Sequence, residues 1–123
     1  MARHREWERL FRLWFRRLIP DPGWTLVFDA NDELKNDAEL TMQPRYREAT
    51  FHYRPSAEPR SRSLTACHEV CHLVIARIYC LGSDMFKHLD SSGVTMKAFD
   101  AAVEEAVEDL ARAFLRAYGE SDG

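Results

Sequence analysis

His68, Glu69, Val70, Cys71 and His72 carry the pattern His-Glu-x-x-His. Two histidines four residues apart on a helix stand one turn above each other, so both imidazoles can reach one metal ion. Glu69, beside the first histidine, can then take a proton from a water that such an ion has made acidic. The residue types and their spacing point to metal-assisted hydrolysis, with His68 and His72 as ligands and Glu69 as the base.

Two histidines fill half of a tetrahedral zinc shell. A catalytic shell needs a third protein ligand and leaves the fourth position to water. His88 follows Gly82, but without the glycine-then-histidine pattern of a short-spaced third ligand. The last helix offers carboxylates instead. At about 100° per residue, Glu104 stands beside Val107 and Ala111, at the margin of an apolar stripe. Glu105 points away from that stripe and Glu108 lies further round. Asp100 is nearer the stripe, but its side chain is short and it sits near the helix start, where it favours the dipole. Glu104 is the expected third ligand. Glu105, Glu108 and Asp100 stay open as alternatives, because helix phase read from sequence is loose by a residue or two. Cys67 and Cys71 permit a rival cage of thiolates with one histidine, but Cys71 projects toward the core side of its helix. His52 reads as an exposed strand residue.

Several elements must position these groups. Trp7, Leu10, Phe11, Trp14, Leu18 and Ile19 recur at helical spacing, which predicts an amphipathic helix over about 4–18 with arginines opposite. Pro20, Asp21, Pro22 and Gly23 end it. Residues 24–29, 40–43 and 49–53 read as three short strands, separated by a polar loop and by Pro44–Arg45. No helix separates them, so an antiparallel sheet is expected. Ser63 or Thr65 can cap the next helix, predicted from about Leu64 to Cys80 and stopped at Leu81–Gly82. Val70, Leu73, Val74, Ile78 and Ala66 group on one of its sides, His68 and His72 on another. Residues 83–94 read as a mobile connection. A final helix over about 95–118 follows, with Phe99, Val103, Ala106, Val107, Leu110 and Phe114 as its apolar stripe. The tail 119–123 is expected to fray.

The chain has 123 residues, enough for one compact domain spanning 1–123. Its composition, 46% hydrophobic and 30% charged, is that of a globular protein. A net charge of -3 argues against a general nucleic-acid binder. The charge is uneven, with arginines crowding the first helix and acids the last; the simplest account is two solvated faces. A basic helix with tryptophans can lie on a membrane, but such a stripe more often docks on a core. No segment reaches the roughly 20 apolar residues of a membrane span, and no signal peptide is evident, so no membrane partner is expected and the cytoplasm is the default. Three cysteines, an odd number near one helix, suit a reduced compartment and read as small buried apolar residues.

The chain resembles the minimal gluzincin-type, zincin-like metallopeptidases of phages and prophages, and is more distantly similar to peptidases that inactivate phage repressors. The resemblance rests on the aromatic-led segment Trp24–Asp29, the stretch Pro44-Arg45-Tyr46-Arg47-Glu48-Ala49, the His68–His72 motif, and Glu104, Val107, Leu110 and Ala111 on the last helix. It spans about residues 24–117. Cys71 and Cys67 depart from the apolar residues usual at those places. The resemblance implies a zincin-like α+β fold, a Zn2+ ion held by His68, His72 and Glu104, Glu69 as catalytic base, and a protein or peptide substrate. Tyr46, Tyr79 and His88 are the groups that could assist a developing oxyanion, and strand 50–53 is expected to pair with an extended peptide along an open edge. The alternative is a catalytically inactive module in which zinc staples a small domain that binds a protein partner.

Overall fold

A computed structural model of the protein describes residues 2–19, 23–89 and 93–120. The elements run α1 (Ala2–Leu18), β1 (Thr25–Ala30), β2 (Ala38–Gln43), β3 (Glu48–Tyr53), α2 (Arg62–Val74), α3 (Ala76–Leu89) and α4 (Val94–Ala117), with a 3-10 turn at Pro44–Tyr46 before β3. The class is α+β, as expected. The predicted stop at Pro20, Asp21 and Pro22 lies outside the described residues.

The sheet is mixed, not antiparallel, and this corrects the expected arrangement. Its order is β1-β3-β2; β3 pairs parallel to β1 and antiparallel to β2. The strand directions do alternate along the chain, but neighbours in sequence are not all neighbours in space. The polar loop 31–37 is long enough to carry β2 past one strand position. The most deeply apolar strand, β3, then takes the middle. Ala49, Phe51 and Tyr53 point to one face and are fully buried. Their register partners Leu26 and Phe28 on one side, and Ala38, Leu40 and Met42 on the other, extend that face. The strand expected to offer an open edge is therefore closed on both sides; β2 is the edge strand next to α2.

Helix α1 lays its aromatic stripe on this face. Phe11 stacks on Phe51 with centroids 4.5 Å apart, and Trp7 stacks on Phe11 and Tyr53. Two polar tips are satisfied: Trp14 Nε1 donates to Ser63 Oγ (2.9 Å), and the Tyr53 hydroxyl donates to Glu8 (2.9 Å); Trp7 Nε1 is buried without a partner. Cutting one of these buried rings to alanine costs on the order of 3–5 kcal/mol. The stripe thus docks on the core, as expected. No single helix among the described residues is long and apolar enough to cross a membrane.

Helix α2 starts two residues before the expected position. Ser61, rather than Ser63 or Thr65, caps it by accepting from the Leu64 amide (3.0 Å). It also ends early. The chain turns through 67° between α2 and α3 at the β-branched pair Val74–Ile75, both weak helix formers. Beyond the bend, Val74 and Ile78 face solvent instead of the core, and the expected connection is helical as far as Leu89. Residues 90–92 lie outside the described region. Gly82 does not stop a helix; it lies within α3, where a Cβ would sit 2.6 Å from Phe99 Cζ of α4.

Helix α4 buries Val107, Ala111 and Leu115, while Ala106 and Leu110 of the expected stripe are exposed. Its end does not fray at Glu120. Ser63 and Arg17 both donate to that carboxylate, tying it to α1 and α2; residues 121–123 lie outside the described region.

Candidate metal centre

The two faces of α2 do different work. Cys67, Val70 and Cys71 are fully buried against α1 and α4. The Cys67 thiol, hydrogen-bonded to Cys71 and buried, is pushed far above its ordinary range. Both cysteines are core residues, so the thiolate cage has no support here. The other face carries His68 and His72, whose ring centroids lie 5.1 Å apart.

Opposite them stands Glu104 of α4. Its Oε2 lies 3.1 Å from His68 Nε2 and its Oε1 2.9 Å from His72 Nε2. One ligand atom from each of the three residues falls within 4.8 Å of the others, so the group could hold a metal ion. Glu104, the carboxylate expected as third ligand, faces the histidines because α4 buries the Val107–Ala111–Leu115 line and Glu104 prolongs it by one turn. Both imidazole Nε2 atoms thus point at one carboxylate. Bonds of about 2 Å in a tetrahedral zinc shell set neighbouring ligand atoms roughly 3.3 Å apart, close to the 2.9 and 3.1 Å nitrogen–oxygen separations here.

The alternatives separate clearly. Glu105 is exposed and outside the group. Asp100 accepts a hydrogen bond from the Tyr79 hydroxyl (2.8 Å). Glu108 places Oε1 3.3 Å from His68 Nδ1, on the ring's far side from Glu104. A carboxylate there fixes the tautomer that leaves Nε2 free to bind a metal. Sequence reasoning weighed Glu108 as a ligand and missed this supporting role. The signal was present: His68 and His72 repeat at four residues, and so do Glu104 and Glu108.

Glu69 is 8% exposed, and its Oε2 has no hydrogen-bond partner. Burial, then repulsion from Glu104 and Glu39, pushes its carboxyl up to about 8. Burial also lowers His72 from its ordinary value, with His68 adding to that effect and Glu104 opposing it. A nearly buried carboxyl with an unpartnered oxygen and a raised pKa, set in a cleft, marks a candidate functional site.

All these groups line one open cleft of about 920 Å³, between β2, α2, α3 and α4. Leu40 and Met42 of β2 form part of its wall. Of the three residues considered for oxyanion assistance, Tyr79 lines the cleft, whereas Tyr46 and His88 do not. The Tyr79 hydroxyl is already engaged with Asp100. His52 lies on the other face of the sheet, 2.7 Å from Asp29 Oδ2 and 2.9 Å from Thr41 Oγ1. It is about one-quarter exposed, so it is less open than expected, but it has no part in the metal group. No family model, curated protein or solved structure matches this chain.

Proposed function

We propose that the protein is a zinc-dependent peptidase. The observation that carries the reading is the meeting of His68, His72 and Glu104 beside Glu69, a nearly buried carboxyl that lines the cleft and keeps one buried oxygen without a partner. A zinc ion on those three ligands would polarise a peptide carbonyl and make a coordinated water acidic near neutral pH. Glu69 accepts the proton of the attacking water and passes it to the departing amine. Glu108 holds His68 in the ligating tautomer. Strand β2, the edge strand of the sheet, offers its free backbone groups to an extended peptide, which brings the bond to be cut alongside Glu69. A zincin-like arrangement and an intracellular role in cutting a protein partner accord with this reading.

The direct test is Glu69→Gln on zinc-loaded protein, assayed against a complex peptide mixture by mass spectrometry. Zinc content stays stoichiometric, and cleavage falls by about 10²–10⁴-fold. Wild-type protein that binds zinc yet cuts nothing would shift the reading to the inactive zinc-stabilised module.

A further inference from the structure

Six carboxylates line the cleft: Asp37, Glu39, Glu69, Asp100, Glu104 and Glu108. No lysine or arginine lines it. Setting aside Asp37, paired with Arg54, and the nearly buried Glu69, four remain against the two positive charges of a divalent ion, so the cleft stays electronegative when loaded. The acids differ in how they are balanced. Asp37 pairs with Arg54 at 3.1 Å, and Glu104 and Glu108 face the histidines. Glu39 and Asp100 have only neutral partners among the described residues: the Asn36 amide (3.2 Å) and the Tyr79 hydroxyl (2.8 Å). Glu39 stands on β2 and Asp100 on α4, one turn before Glu104. Uncompensated charge at two walls of a cleft raises the local concentration of cations and steers them in. The nearly buried Glu69, with its open oxygen, marks the same cleft as a place that takes a ligand.

We propose that the substrate is a basic segment, bearing lysine or arginine close to the bond cut, and that Glu39 and Asp100 select it. The inference rests on the peptidase reading and names its substrate class. A flexible lysine or arginine can reach a carboxylate from an extended backbone lying on β2. Such a charge-assisted hydrogen bond is stronger than a neutral one.

The test uses two peptides alike except for Arg or Gln beside the central bond. Their affinities for zinc-loaded Glu69→Gln protein are measured by calorimetry, and their cleavage by wild-type protein is measured separately. The Arg peptide binds about tenfold tighter at low salt, and the margin shrinks as salt is added. Adding Glu39→Gln and Asp100→Asn cuts the margin to about twofold or less, with the thermal unfolding curve showing that the variant is folded. Asp100→Lys reverses the preference toward a Glu-bearing peptide. Equal affinity for the Arg and Gln peptides overturns the inference, as does an unchanged margin in the double variant. Equal kcat/KM for the two peptides sinks the substrate class and leaves the peptidase standing. Tight, charge-selective binding without product from the wild type sinks the peptidase and leaves the charge recognition standing.

Discussion

Among the described residues, histidine meets carboxylate on the sheet and in the cleft, and the two places are built to opposite ends. On the outer face of the sheet, His52 sits between Asp29 and Thr41, with both ring nitrogens engaged by neighbours on β1 and β2. In the cleft, His68 and His72 converge on Glu104, and Glu69 beside them keeps an unpartnered oxygen. The first cluster is complete as it stands, because flat sheet geometry sets one donor opposite one acceptor. The second gathers several ligand atoms at one point and leaves hydrogen-bonding capacity over. Composition alone does not separate a structural histidine from a functional one; convergence and unsatisfied capacity do.

The contrast is broken most directly by removing ligands. His68→Ala or His72→Ala abolishes zinc retention after gel filtration, whereas His52→Ala retains one equivalent, as elemental analysis will read. Glu104→Ala loses zinc in the same assay and Glu105→Ala keeps it; the reverse would move the third ligand. A smaller effect is expected one shell out. Glu108→Gln weakens zinc binding by about 10–100-fold in a chelator competition, because the His68 ring loses its support. Loss of zinc affinity no greater than that of His52→Ala would mean Glu108 is only a surface carboxylate.

Smaller again is the sheet-face cluster itself. His52→Ala destabilises the fold by about 1 kcal/mol in urea unfolding, the scale of a lost side-chain hydrogen bond, and leaves any hydrolysis unchanged. The smallest effect is at the chain end. Burial opposes ionisation of Glu120, but hydrogen bonds from Arg17 and Ser63 outweigh it and hold its carboxyl below the ordinary 4.5. Its contribution is present above pH 4.5 and is lost as pH falls through the lower folded value. Glu120→Gln therefore costs about 0.5–1 kcal/mol at neutral pH and flattens the acid limb of the stability curve.

Much of this was legible in the residues, and the failures have common causes. The four-residue spacing of His68 and His72 and the position of Glu104 against Val107 and Ala111 depend on helical phase alone, which is local. The aromatic stripe of α1 is likewise a local period. Strand neighbours are not local. The alternation in residues 49–53 says which face is buried, not which strands flank it, so the mixed order and the edge position of β2 were hidden. The bend after Val74 was hidden because Ile78, Leu81 and Met85 continue an apolar pattern that the structure leaves exposed. The place of Glu108 was missed, although it repeats Glu104 at four residues, because the expected α4 stripe took in Ala106 and Leu110, which packing leaves exposed.

The close seat of Gly82 against the Phe99 ring reaches beyond α3. Phe99 immediately precedes Asp100, which lines the cleft, so the contact couples the seat of α3 on α4 to one wall of that cleft. A single methyl there would force the Phe99 ring or the helices to shift, without touching His68, His72, Glu104 or Glu69. The fit between the two helices thus depends on a residue with no side chain, outside the metal group.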